Sequence, residues 1–247
     1  MIYLNKKLYL TNYTMILPSV AVGNVAQLSI DLLISTLSLR KIGCIFDTCF
    51  IPLVGADPYN KTNQEICTSV DLYLSDEKKL VVLQIRTPLV KKAKKFFYEI
   101  LNFVKDYKIL KVIILTSCFG HDKRDEQIRT VPFCYLTTKN ISKEFKQQFE
   151  ELSWKGLESS FLEDSNKTIW QIHGGGFAQM IFELLQENNI ISVVLFKFCS
   201  EGNNIPDAVE LINCLNCWLQ LFKIDSKFKF PPSWNFVFGK STPKEIY

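Results

Sequence analysis

Ile190-Ile191-Ser192-Val193-Val194-Leu195-Phe196-Lys197-Phe198-Cys199, then Ser200-Glu201-Gly202-Asn203-Asn204 and the long segment Ile205 to Phe222, is the stretch on which the fold turns. The first part is a short apolar run bounded by turn residues, which reads as a buried strand. The last part carries Ala208, Ile212, Leu215, Leu219 and Phe222 at helical spacing, with Pro206 acceptable in the first turn behind Asn204. A buried strand feeding a helix is the repeating step of a layered α/β domain.

The same alternation runs outward in both directions. Lys111 to Ser117, rich in branched residues, predicts a strand central to a sheet, and Lys91 to Tyr107 a helix before it. Ser142 to Leu152 predicts a helix started by a Ser cap, and Phe177 to Glu187 another after Gly174-Gly175-Gly176. Nearer the start, an apolar run from Thr14 is interrupted by Pro18. Gly23 then opens a helix whose polar residues, Asn24, Gln27, Asp31, Ser35 and Ser38, form a narrow strip turned to water or to a partner. Ile42 to Phe46, Glu65 to Leu74 and Leu80 to Arg86 read as strands, the second alternating as in a sheet exposed on one face. Ser153 to Lys167 reads as a surface connection, and Asp225 to Tyr247 as a Pro-interrupted aromatic tail. The expected architecture is one α/β domain over 1–247, with a central mostly parallel or mixed sheet flanked by helices.

Composition narrows the function. With 247 residues and 47% apolar side chains the chain can fill one core, and 29 basic against 25 acidic side chains leave only +4, too little to announce a nucleic-acid binder. Lys6 and Lys7 interrupt the N-terminal apolar residues, so no secretory signal is read there. The apolar run at Ile190 is far short of the roughly 20 residues of a membrane span. The 8 cysteines read as reduced thiols, and the sequons at Asn12, Asn60, Asn140 and Asn166 as chance. Cytoplasm, extending to the nucleus, is the expected location.

Few residues invite chemistry. His173-Gly174-Gly175-Gly176 before a helix has the makings of a phosphate cradle, the basis of an alternative reading as a nucleoside or phospho-ligand enzyme; the plainer reading is a tight turn into the helix. A hydrolase would also need a Gly-x-Ser-x-Gly elbow, which the sequence lacks. His121 lies in a charged loop where solvated ion pairs explain it. Cys214 and Cys217 have zinc-hook spacing without a second pair, so no metal is expected. Basic residues crowd between Lys78 and Lys111. Of these Lys91, Lys94 and Lys95 are candidates for docking an acidic partner, against the alternative of a solvated face. At the C-terminus, Ile246-Tyr247 is a candidate docking tail.

These segments also resemble a family. Leu17-Pro18-Ser19-Val20-Ala21-Val22-Gly23-Asn24, Val54-Gly55-Ala56-Asp57-Pro58-Tyr59, Gln84-Ile85-Arg86, Gln127 to Phe133, Gly174 to Gly176, Lys197 to Ala208 (with Pro206 and Asp207) and Pro231-Pro232-Ser233-Trp234 follow one another as in the proteasome assembly chaperone 2 family. The resemblance implies a fold related to nucleoside-phosphorylase-like domains without their chemistry and without a cofactor. It implies pairing with the related proteasome assembly chaperone 1 and contact with proteasome α subunits while their ring forms. The wider family docks a hydrophobic-Tyr-any residue tail between α subunits. Here Ile246-Tyr247 supplies the first two elements, with Tyr247 last.

Overall fold

The computed structural model describes residues 1–123, 133–157, 160–161, 168–169, 172–223 and 226–236. Along the chain come β1 (Ile2–Leu4), β2 (Thr14–Pro18), α1 (Val25–Leu37), β3 (Arg40–Ile45), β4 (Val54–Ala56), β5 (Ile66–Thr68), β6 (Val70–Ser75) and β7 (Leu80–Ile85). Then follow α2 (Lys94–Asp106), β8 (Lys111–Phe119), β9 (Phe133–Thr137), α3 (Lys143–Glu151), β10 (Lys155–Gly156), β11 (Ser160–Phe161), β12 (Thr168–Ile169), α4 (Ala178–Glu187), β13 (Ser192–Cys199) and α5 (Ile205–Leu219). Among the described residues one 9-stranded sheet has the order β1-β3-β6-β7-β2-β8-β13-β9-β10. Its centre, β7-β2-β8-β13, is parallel. Outside it β6, β3, β1 and β9 run antiparallel to their inner neighbours.

The parallel centre follows from the apolar runs. Every residue of β13 is buried, and so is all of β8 except Phe119, which is the sequence signature of strands covered on both faces. Successive side chains alternate between two cores: Met15, Val112 and Ile114 join the one capped by α2 and α4, while Ile16, Ile113 and Leu115 join the one capped by α1 and α5. Phe96, Phe177 and Phe182 fill the first core; Ile30, Leu33, Leu211 and Leu215 fill the second. On that second side α3, capped by Ser142 Oγ accepting the Phe145 N–H at 3.3 Å, sets Phe149 edge-on to Trp218 at 4.9 Å. The layered α/β architecture that the alternation predicts is therefore present. No helix of the described residues is long and apolar enough to cross a membrane.

Three local expectations are corrected. Glu65 to Leu74 is not one strand: Ser69 Oγ donates to the Ile51 carbonyl at 2.7 Å and accepts the Leu53 N–H at 2.9 Å, so β5 turns away to pair with β4 while β6 enters the main sheet. Nor is β6 open on one face. Asp71 is completely buried, accepting the Thr68 N–H at 2.9 Å and pairing with Lys41 at 2.7 Å. The long helix from Ile205 stops short of Phe222 because Asn216 binds both backbone groups of Phe222, at 2.9 and 3.0 Å, after Gln220 turns left-handed with φ 50°.

Candidate partner-binding surfaces

Ligands of open α/β sheets sit at the carboxyl ends of the parallel strands. Here that crevice is filled by the chain itself. Ser19, just past β2, donates its hydroxyl to the Gly175 carbonyl at 2.8 Å and accepts the Phe177 N–H at 2.9 Å. Thr116 donates to the same carbonyl at 2.9 Å, and Val22 N–H donates to the Gly174 carbonyl at 3.0 Å. The amides of Gly175 and Ala178 turn inward to the Ile172 and Gly175 carbonyls, at 3.0 and 3.2 Å. The glycine run thus serves as a tight turn into α4, its neighbouring amides already engaged.

The other motif residues support this closure. Pro18 ends β2 and is buried. Gly23 and Asn24 make the left-handed corner into α1, with φ 65° and 52°, and a Cβ on Gly23 would fall 2.7 Å from Asn204 Oδ1. Pro206 lies in the first turn of α5. Asp207 accepts from Asn204 Nδ2 at 2.9 Å and, with Glu210, holds the buried Lys197 ammonium at 2.8 and 2.5 Å. Burial pulls the Lys197 pKa down, and the hydrogen bonds and charges of these two carboxylates outweigh it, leaving it raised.

The middle of the polar strip of α1 is covered, while Asn24 and Ser38 at its ends are exposed. Asp31 Oδ1 accepts from the Tyr59 hydroxyl at 2.6 Å and from Gln84 Nε2 at 2.5 Å, while Oδ2 accepts from the Trp234 indole at 3.4 Å. Arg86 donates to Tyr59 at 2.9 Å and pairs with Asp31 at 3.4 Å. The described part of the C-terminal segment, residues 226–236, lies along this helix, with Lys229 N–H on Thr36 Oγ1 at 3.2 Å and Ser233 N–H on the Pro58 carbonyl at 3.3 Å. Tyr59, Gln84, Arg86 and Trp234 are thus the residues that interpreting α1 alone misses. Their signal was the short segments carrying the family resemblance.

On the opposite face α2 and α4 run side by side, leaving a groove of about 650 Å³ floored by Leu89, Ala93, Phe97 and Leu184. Lys91, Lys92 and Lys94 rim one side, Glu183 and Glu187 the other. Tyr98 and Met180 stand at the mouth, 44% and 55% exposed. Lys95 is exposed on α2 and does not line the groove. None of the rim charges forms an ion pair among the described residues. Ile246 and Tyr247 lie outside the described residues.

His121 is exposed and stacked on Phe119 at 5.0 Å, and Cys214 is buried while Cys217 is exposed. All eight cysteines are free thiols. Among the described residues no group of three or more His, Cys, Asp or Glu is placed to hold a metal ion.

The pattern of the PAC2 family matches residues 15–216. A Xenopus laevis protein named Proteasome assembly chaperone 2 is 40% identical over 245 residues, covering 95% of this chain and 94% of its own. The Homo sapiens protein of that name is 37% identical over 254 residues, with 96% of each covered. In fold, the chain is similar to Pyrococcus furiosus PbaA, an archaeal homolog of proteasome-assembly chaperone, with TM-score 0.67 at 18% identity over 90% of this chain and 88% of that one. It is also similar to Pyrococcus furiosus PbaB, an archaeal proteasome activator, with TM-score 0.62 at 15% identity and 90% of each chain covered.

Proposed function

This chain belongs to the PAC2 family, and from that membership we propose that it is a non-enzymatic proteasome assembly chaperone. A role in proteasome assembly is supported by the relatives named Proteasome assembly chaperone 2 along nearly the whole chain. The finer proposal is that it pairs with proteasome assembly chaperone 1 and that the pair holds proteasome α subunits while the α ring closes. A tethered pair raises the local concentration of subunits and shields their apolar contact faces. The cytoplasm and nucleus are the proposed sites of action, and no cofactor is called for.

The observation that carries this reading is the contrast between the two faces of the site. The crevice where related folds place small ligands is plugged by the Gly174–Gly176 turn, while an apolar groove on the surface stays open between charged rims. Affinity purification of the tagged chain from its own cells tests it. Co-elution of proteasome assembly chaperone 1 and α subunits is the expected result; their absence, or turnover of nucleosides with phosphate by the purified chain, contradicts it.

A further inference from the structure

We infer that Lys111 is a site of covalent modification, an amine that takes an acyl group from a thioester. This holds whether or not the pairing proposed above does. Lys111 opens β8 and is 8% exposed, while Leu110 before it is 47% exposed, so the lysine side chain lies just under the surface. Its Nζ stands 4.3 Å from the Phe145 ring centroid on α3 and 4.6 Å from that of Trp218 on α5. The two rings pack edge-on to each other at 5.8 Å, and the Trp218 indole donates to Gln148 Oε1 at 3.0 Å, so the walls of this slot are held in place.

The other buried lysine gives the contrast. Lys197 is 4% exposed, and Asp207 and Glu210 hold its ammonium at 2.8 and 2.5 Å, which keeps it charged. Among the described residues no carboxylate pairs with Lys111. Ring faces meet its charge instead, and they offset only part of what burial costs an ammonium. Burial is the one cause acting on its pKa and brings it down to about 8. At about pH 7.5 roughly a quarter of the side chain is then free amine, against roughly one part in a thousand for an ordinary lysine near 10.4. The free amine is the nucleophile.

The step balances without a further reactant. The Lys111 nitrogen attacks the thioester carbonyl carbon, the N–C bond forms as the C–S bond breaks, and the amine proton leaves with the thiol. The product amide is uncharged, so acylation removes the charge that this slot disfavours.

The test uses the full folded chain, acetyl-coenzyme A as the thioester, and peptide mass spectrometry over a pH series. Near neutral pH, Lys111 should be acetylated about tenfold or more faster than the median exposed lysine, its larger share of free amine being partly offset by lower basicity and by cover. Its rate should level off above about 8, where the amine is fully free. Lys197 should stay unmodified, and the preference for Lys111 should vanish in denaturant. A folded chain in which Lys111 reacts no faster than exposed lysines, or in which its rate climbs to about pH 10 as an ordinary lysine's does, overturns the assignment. Equal protection of Lys111 and Lys197 also overturns it, because cover alone then decides.

Discussion

A Cβ on Gly176 would lie 1.9 Å from the Val20 carbonyl oxygen, so the glycine turn and the end of β2 touch backbone to backbone. Gly176 also has φ 60°, where a side chain is strained. Gly176→Ala should therefore cost about 3 kcal/mol or more, because neither backbone segment can give. Chemical denaturation measures it, and a loss under about 1 kcal/mol would show that the crevice has slack.

Asp31 ties α1 to Tyr59, Gln84, Arg86 and Trp234. Asp31→Asn leaves the largely buried Arg86 guanidinium, 13% exposed, without its carboxylate, a loss expected to be about 2 to 4 kcal/mol. Trp234→Phe keeps an aromatic ring, though a smaller one, and removes one long hydrogen bond, for about 1 kcal/mol. Melting curves of both variants check the ratio; equal losses would mean that packing of the C-terminal segment, and not the charge, carries the cluster.

Lys111 is buried 4.3 Å from the Phe145 ring centroid and 4.6 Å from that of Trp218, and burial lowers its pKa to about 8. The unfolded chain holds that proton up to about 10.4. Between those values the unfolded state binds more protons, so this group makes stability rise with pH, and its penalty is full below 8. Lys111→Met should gain about 1 to 3 kcal/mol at neutral pH and lose the rise. Denaturation of both forms across that interval decides it, since parallel profiles would contradict the buried charge.

Removing Ile246 and Tyr247 should weaken retention of α subunits and leave pairing with the other chaperone intact. Pull-down with each partner separately reads this. Undiminished α-subunit retention would assign that contact to the body of the chain or to its partner.

The architecture was legible because buried central strands and amphipathic helices write different periods, as in Ile190–Cys199 and Ile205–Phe222. The Ser142 cap was legible because it acts within one turn. What the sequence hid depends on residues far apart. The α1 strip was visibly polar, yet its cover comes from Tyr59 and Trp234, remote along the chain. The break at Ser69 is made by Ile51 and Leu53, while the alternation on either side continues unchanged. Lys91 and Lys94 stood out as charge, but their opposite rim, Glu183 and Glu187, arrives only because β13 pairs beside β8 and brings α4 next to α2.

Native mass spectrometry of the purified chain mixed with proteasome assembly chaperone 1 and α subunits bears most directly on action by contact. The account predicts a one-to-one chaperone pair and heavier species in which that pair carries α subunits. A chain that stays alone in every mixture would contradict it.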